Sequence, residues 1–267
     1  MHYGLRHRLK RLYVETTHFS PIPRRAQYFV IVSQERTGST LLSTLLSFHP
    51  ALLTDMDIFY TPETWPARRR TGRRLFTTRP VRGFKFKGTH APLQNSAHAT
   101  REFLQRRCDA GLRIIRLQRH DVLRQAISSY MVGTRNELHA WKNREERTAS
   151  GRASVVVDVE EIYERMLYFA RLGRFQDRML KGIPHLSLSY ESELLDSDLH
   201  QSASNRVFEH LGLTSYPVET RLRKLTTDDL SGAVSNVDEL AERLKGTRFA
   251  SYLPAAVTSS PPAPPQC

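Results

Sequence analysis

The stretch VIVSQERTGSTLLSTLLSFHP, residues 30–50, contains an apolar run, a short polar loop and a leucine-rich helical pattern in direct succession. Backbone N–H groups at the start of a helix lack partners within the helix, and the helix dipole adds positive charge there. A strand-to-helix turn of this kind therefore predicts an anion site, although serine and threonine also suit an ordinary helix cap. The residues concerned are Arg36, Thr37, Gly38, Ser39 and Thr40.

Strand-like runs alternate with helical patterns along the rest of the chain. Helical spacing follows the first loop, begins again at Asp121, and extends from about Asp158 to Leu180. Short apolar strands separated by helices predict an α/β, P-loop-like three-layer fold, with a central parallel sheet flanked by helices. Ligands of such folds bind beyond the carboxyl ends of the strands. The predicted strands are Tyr28–Ser33, Val81–Lys87, Arg113–Leu117 and His185–Tyr190.

The composition favours an anionic partner without choosing among nucleotide, nucleic acid, acidic glycan and lipid. Lysine and arginine outnumber aspartate and glutamate by 40 to 27, a net charge of +13. The two cysteines imply no disulfide framework. No membrane span or signal-peptide pattern is found, so we expect a cytoplasmic protein.

Both ends of the chain differ in composition from residues 27–253, which we predict to form the functional domain. Residues 1–26 are a basic arm with six lysines and arginines against one acid, suited either to solvent or to peripheral contact with a membrane. Residues 254–267 are rich in proline and predicted to be disordered. Arginine-rich stretches at 67–82 and 142–154 read either as flaps over an anionic substrate or as charged loops.

The first loop differs from the triphosphate-binding pattern G-x-x-x-x-G-K-[ST] at two positions. Gly38 rather than a lysine precedes Ser39, and Ser33 stands in place of the first glycine. A second strand–turn–helix stretch, IIRLQRHDVLRQAISSY, supplies Arg119 at the end of its strand and Ser128 on the following helix. An arginine fork with a nearby hydroxyl suits a phosphate dianion.

Together these motifs resemble the sulfotransferases that use 3′-phosphoadenosine 5′-phosphosulfate (PAPS), most closely the bacterial carbohydrate types of the Nod-factor and trehalose kinds. SQERTGSTLL resembles their 5′-phosphosulfate loop, and the Arg119–Ser128 pair resembles their 3′-phosphate motif, with Ser129 as the alternative serine. The strand ending in Tyr190 and Glu191 corresponds to one whose tyrosine lies near the adenine. The matching C-terminal loop, near the 3′-phosphate in the family, is Lys245, Gly246, Thr247 and Arg248.

The resemblance implies in-line transfer of a sulfuryl group to a small acceptor, a glycan or a glycolipid, with PAPS as co-substrate and no metal. Arg36 would stabilise charge on the leaving 5′-phosphate, and a base would take the proton of the acceptor. Asp57 best matches the glutamate of the family, although Met56 replaces a usual glycine, and Asp55 is next. Lys85 matches a lysine of several relatives and is a further catalytic candidate. His90 and His120 are alternative bases.

Three other functions remain open at the level of sequence. A P-loop kinase or NTPase is the first, although Asp121 is the one acid after the second strand that could hold magnesium. A nucleic-acid-binding module would explain the charge, but no binding motif is found, so we expect no nucleic-acid partner. A catalytically inactive relative that binds nucleotide is the third. No metal-ligand spacing is found, and the oligomeric state is not readable.

Overall fold

The computed structural model describes residues 27–55, 80–87, 97–134, 154–220, 222 and 230–253. The basic arm, the Pro-rich tail, Asp57, His90 and most of both arginine-rich stretches lie outside these residues. The described residues fall into two compact units. The first contains 27–55, 80–87, 97–120 and 172–220, and the second contains 121–134, 154–171, 222 and 230–253. The prediction of a single domain over 27–253 stays a prediction.

A parallel sheet of five strands, in the order β2-β3-β1-β4-β5, forms the centre of the first unit. The chain moves from β3 across β1 to β4, so the order of the strands reverses direction beside β1. In open α/β sheets the crevice beyond the carboxyl ends at such a reversal is the usual place for a ligand. The strands are β1 (Gln27–Ser33), β2 (Leu52–Asp55), β3 (Val81–Lys87), β4 (Leu112–Gln118) and β5 (Leu186–Ser189).

Seven α-helices are found among the described residues. They are α1 (Ser39–Leu46), α2 (Ala97–Asp109), α3 (Val122–Thr134), α4 (Val159–Leu180), α5 (Tyr190–Glu193), α6 (His200–His210) and α7 (Val237–Leu244). Short 3₁₀ turns cover Ser197–Leu199 and Ala250–Tyr252. No helix in the described ranges is both long and apolar enough to cross a bilayer.

Helices cover both faces of the sheet, because alternate strand residues point to opposite sides and both sides are apolar. Phe29 and Ile31 of β1 pack with α1 and α6 on one face. Tyr28, Val30 and Val32 of the same strand pack with α2 and the C-terminal part of α4 on the other. The first unit is therefore the predicted α/β arrangement of helices, parallel sheet and helices, in three layers.

The second unit has its own apolar core, formed by α3, the first part of α4, α7 and the chain around Val155 and Val234. The side-chain amide of Asn236 ties two of these segments together. Its Nδ2 donates to the carbonyl of Val157 at 2.9 Å, and its Oδ1 accepts from the Val157 N–H at 2.9 Å. Arg243 of α7 pairs with Glu160 at the start of α4, its Nη2 lying 3.0 Å from Oε2.

The four strand predictions are confirmed within one residue at every end, and the long helix begins at Val159 rather than Asp158. The largest difference concerns Tyr190, which begins the short helix α5 instead of ending β5. Strand β2 and helices α2, α6 and α7 were not predicted. Strand β2 has four residues, and α2 has a polar sequence, AHATREFLQRRCD, with few apolar residues to reveal its period.

A glycine on β3 leaves room for an aromatic ring of the neighbouring strand β1. Gly83 pairs with Phe29 in the ladder, and a Cβ at this position would lie 1.9 Å from Cζ of the Phe29 ring. We expect Gly83→Ala to lower the free energy of unfolding by about 1–3 kcal/mol, the usual cost of overpacking, as measured by urea denaturation. Phe29→Leu in the same chain should recover part of that loss. Equal losses with either residue at position 29 would contradict this packing.

Candidate functional site

The loop between β1 and α1 turns through two left-handed residues. Arg36 and Gly38 have φ values of 59° and 83°, whereas Thr37 between them does not have a positive φ. The Thr37 hydroxyl donates to the carbonyl of Gln34 at 2.9 Å and holds the turn closed. Positive φ is uncommon for a residue other than glycine, and such strain is concentrated at binding sites. The turn brings the Arg36 backbone to the carboxyl end of the central strand.

Helix α1 begins directly after this turn without a side-chain cap. Gly38 is its N-cap residue, no side chain accepts a hydrogen bond there, and the first turn contains no acidic residue. Ser39 and Thr37 are buried, while Thr40 is half-buried. Sequence analysis identified these residues as a helix cap or an anion site. Since the cap hydrogen bond is absent, the positive end of the helix dipole remains available to an external anion.

Arg119 follows β4 and links two neighbouring strand ends. Its Nη1 donates to the backbone carbonyl of Arg36 at 3.1 Å. Its guanidinium also lies over the ring of Tyr190, 4.7 Å from the ring centroid. Arg36, Arg119 and Tyr190 were predicted from three separate stretches of sequence, and the fold brings them into one cluster at the reversal of strand order.

Gly38 has a second role because the ring of Tyr190 lies directly against it. A Cβ at Gly38 would be 2.7 Å from Cδ2 and 3.0 Å from Cε2 of that ring. Gly38 therefore adopts the left-handed turn and also leaves space for the Tyr190 ring, over which the Arg119 guanidinium lies. The position of this guanidinium thus depends on a residue of the loop between β1 and α1.

Glu191 fixes the same corner from the β5 side. Its carboxylate accepts from the backbone N–H of His120 at 3.1 Å and from the Ser189 hydroxyl at 3.2 Å, and lies 3.9 Å from Nε of Arg119. Sequence analysis noted Glu191 as part of a Tyr-Glu pair but gave it no role. Glu191 directly follows a strand. That it lies near basic residues that follow other strands can be recognised only when the order of the strands in the sheet is known.

The electrostatics of the cluster favour a negatively charged ligand. Burial lowers the pKa of the Arg36 guanidinium, and the nearby positive charge of Arg119 lowers it further. Burial also raises the pKa of the Tyr190 phenol, so the ring stays neutral at physiological pH. Two guanidinium groups close together in a partly buried crevice repel each other, and an anion between them would relieve that repulsion.

Lys85 and Thr40 form a second contact at the start of α1. Lys85 lies near the carboxyl end of β3, is only 1% exposed, and donates from Nζ to the Thr40 hydroxyl at 3.2 Å. Lysine is almost never fully buried without a partner. The structure thus places a third cation beside the first turn of α1. Lys87 ends the same strand and is half-buried.

The remaining predicted residues lie in the second unit or outside the described chain, except for His120 and the backbone of Asp55, which belong to the first unit. Ser128 is buried on α3, and the neighbouring Ser129 hydroxyl accepts from Nη1 of Arg165 at 2.8 Å. Asp57 lies outside the described residues, and the side chain of Asp55 does too. His120 is exposed, and its backbone N–H is the group that takes part in the cluster.

The loop after α7 contains the other predicted binding residues. Lys245 pairs with Glu242 at 3.2 Å, and Gly246 has a φ of 71°. The Thr247 hydroxyl donates to the carbonyl of Leu244 at 2.7 Å, and the Arg248 guanidinium lies over the ring of Phe249. A cavity of about 570 Å³ in the same unit is lined by other residues, including Tyr130 and Asp158.

The described residues contain no group of three or more histidine, cysteine, aspartate or glutamate side chains that could hold a metal ion. The sequence matches no protein-family profile and no curated protein. Among solved structures, the chain is similar to the crystal structure of a sulfotransferase from Alicyclobacillus acidocaldarius. The identity is 16%, the TM-score is 0.44, and the alignment covers 88% of this chain and 99% of that one.

The contact between Gly38 and Tyr190 can be tested by comparison with a second glycine that also has a positive φ but has no side chain beside it. Gly212 has a φ of 68°, and a Cβ there would meet nothing within 4 Å. We expect Gly38→Ala to lower the free energy of unfolding by about 1–3 kcal/mol more than Gly212→Ala, because only the former drives a methyl group into a ring. Urea denaturation of both variants measures the difference. Equal losses would show that the ring does not need this space.

Proposed function

We propose that the chain is a PAPS-dependent sulfotransferase that acts on a hydroxyl or amine of a carbohydrate, a glycolipid or another small acceptor. The observation that carries the proposal is the meeting of Arg36 and Arg119 beside the uncapped first turn of α1. Two guanidinium groups, free helical N–H groups and an aromatic ring suit a ligand with two anionic groups and a planar base. The sequence resemblance to the PAPS-dependent family, which also includes the Tyr190 strand and the Lys245–Arg248 loop, is the second support.

In this proposal the two arginines bind different parts of one donor. Arg36 and the amides of Thr37–Thr40 hold the 5′-phosphosulfate, whereas Arg119 holds the 3′-phosphate. Tyr190 lies beside the adenine. By the resemblance, Ser128 and the residues Lys245–Arg248 add contacts to the 3′-phosphate.

The reaction moves one sulfuryl group in line. The acceptor oxygen or nitrogen forms a bond to sulfur while the bond from sulfur to the bridging 5′-phosphate oxygen breaks. Adenosine 3′,5′-bisphosphate leaves, and a base takes the proton of the acceptor. No covalent intermediate with the protein is needed, so positioning and charge stabilisation supply most of the rate, as in phosphoryl transfer. Arg36 and the amides at the start of α1 stabilise the negative charge on the leaving phosphate.

The base is proposed to be Asp57, with Asp55, His90 and His120 as the alternatives. Lys85 is proposed to donate to the transferring group or the bridging oxygen. Its ammonium is held against Thr40 in the first turn of α1, beside the amides assigned to the 5′-phosphosulfate. A buried ammonium in a water-poor site stabilises developing negative charge more strongly than an exposed one does.

The donor site is tested by calorimetry with adenosine 3′,5′-bisphosphate. We expect the wild-type chain to bind it in EDTA, and Arg119→Ala to weaken binding by about 1.5–3 kcal/mol through loss of a charge-assisted contact. Arg106→Ala on the exposed surface of α2 removes the same charge and should bind like the wild type. Preferential binding of magnesium–ATP would favour a kinase instead, and an unchanged dissociation constant in Arg119→Ala would remove that residue from the site.

The role of Lys85 is tested by transfer of radiolabelled sulfate from PAPS to lipid and carbohydrate extracts. Lys85→Met keeps the length and the burial of the side chain but removes its charge. We expect kcat to fall about 10²- to 10³-fold, the range for loss of one stabilising donor, while the affinity for the bisphosphate changes much less. A purely structural lysine would instead weaken binding and stability without this selective effect on kcat.

A further inference from the structure

The cations of the first unit differ sharply in whether they have a carboxylate partner. Arg116 pairs with Asp177, Arg119 faces Glu191, and Arg206 pairs with Glu193. By contrast, six exposed cations have neither an ion pair nor a hydrogen-bond partner for their side chains among the described residues. They are Arg101, Arg106, Arg113, Arg174, Arg178 and Lys181.

Five of these six residues belong to one helical layer. Arg101 and Arg106 lie on α2, and Arg174, Arg178 and Lys181 lie on α4 and just after it. Arg113 of β4 pairs with Phe29 in the ladder and lies on the opposite face of the sheet. Helix α2 and the C-terminal part of α4 pack together on the same face of the sheet through Leu104, Met179 and Leu180. We call this outer surface the α2/α4 face.

The acidic residues of the α2/α4 face offset only part of its positive charge. Asp177 pairs with the buried Arg116. Glu102 lies 3.0 Å from His98, and Asp109 accepts from the neutral amide of Gln105 at 2.8 Å, so these two carboxylates keep their charge. The exposed cations of the face, Arg101, Arg106, Arg174, Arg178 and Lys181, outnumber them, so the described part of the face is net positive.

Folding stability does not explain this arrangement. Arg174, Arg178 and Lys181 are spaced at i, i+4 and i+7, so they form one stripe along the helix, and like charges at that spacing repel. Arg106 and Arg178 lie in last turns, where a cation does interact favourably with the helix dipole. Arg101 and Arg174 lie outside the last turns and gain no such benefit. An external polyanion is the simplest source of the missing negative charge.

The position of the face favours a membrane surface over a nucleotide or acceptor site. Helices α2 and α4 each end shortly before a strand begins, so Arg106, Arg178 and Lys181 lie towards the amino edge of the sheet. The Arg36–Arg119 cluster lies beyond the carboxyl edge, roughly 20 Å away along a seven-residue strand. The chain also enters β1 at this amino edge, at Gln27, directly after the 26 residues of the basic arm. A basic face near the point where a basic stretch of sequence joins the fold suits a broad anionic plane.

We propose that the α2/α4 face, through its end towards the amino edge of the sheet, docks the protein on a bilayer that contains anionic lipid, so that the donor-binding edge lies away from the bilayer. This proposal is independent of the reaction that the protein catalyses. Each cation near such a surface contributes to partitioning, and the attraction is screened by salt.

Sedimentation with lipid vesicles tests the proposal on the full chain. We expect binding to vesicles of phosphatidylcholine and phosphatidylserine in equal parts, little binding to phosphatidylcholine alone, and release by salt. Arg174→Gln with Arg178→Gln should lower the partition coefficient about 10- to 30-fold. The matched control, Arg165→Gln with Arg206→Gln, removes the same charge from paired arginines outside the face and should lose far less.

Several outcomes would overturn the proposal. Equal losses in the two double variants would show that only net charge matters, and displacement of bound protein by adenosine 3′,5′-bisphosphate would place the lipid in the donor crevice. Binding of a nucleic-acid duplex, but not of vesicles, through Arg174 and Arg178 would identify a different partner. If the glutamine variant unfolds, Arg174→Lys with Arg178→Lys retains the charge and should bind vesicles like the wild type; loss of binding in that folded variant would also refute the proposal.

Discussion

The hydrogen bond from Arg119 to the backbone carbonyl of Arg36 joins the ends of β1 and β4, and the candidate site depends on it. Because β1 and β4 are adjacent parallel strands, the loops that follow them emerge side by side at one edge of the sheet. The bond turns this proximity into a defined geometry. The Arg119 guanidinium lies over the ring of Tyr190, and Gly38 leaves room for that ring. Glu191 approaches Nε of Arg119. Three strand ends thus contribute to the position of a single guanidinium.

This arrangement holds two like charges together before any ligand arrives. The backbone carbonyl of Arg36, rather than a carboxylate, receives the Arg119 hydrogen bond, so the bond orients the guanidinium without cancelling its charge. Glu191 approaches Arg119 with Oε1 at 3.9 Å, beyond hydrogen-bonding distance, while its Oε2 accepts from His120 and Ser189. The two guanidinium groups are therefore held at this edge before a ligand binds, and the scaffold has already met the cost of bringing them together. Such preorganisation is what a site for a dianionic ligand requires.

Much of the fold could be predicted from sequence because β1 and β4 are short, mainly apolar runs, and β3 alternates phenylalanine with lysine at the period of a strand. The α2 helix could not be predicted, because its sequence is polar and has few apolar residues besides the buried Leu104 to mark a helical period. The Arg36 loop and Arg119 could be identified because each follows a predicted strand. Their contact could not, because it depends on the order of the strands in the sheet. The Gly38–Tyr190 contact joins residues 152 positions apart, and no local pattern encodes it.

Positive charge occurs at both edges of the sheet in the first unit, and its physical origins differ. At the carboxyl edge the helix dipole of α1 and the two guanidinium groups act in the same direction, so the charge is concentrated within a small, partly buried crevice. Helices α2 and α4 end towards the amino edge, so the negative ends of their dipoles lie there. These dipoles partly offset the positive charge that the nearby cations offer to a partner. Since the cations are exposed and spread over two helices, they are also more strongly screened by salt. A tight, specific contact with a small dianion therefore fits the first edge, and a weak, salt-dependent contact with an extended surface fits the second.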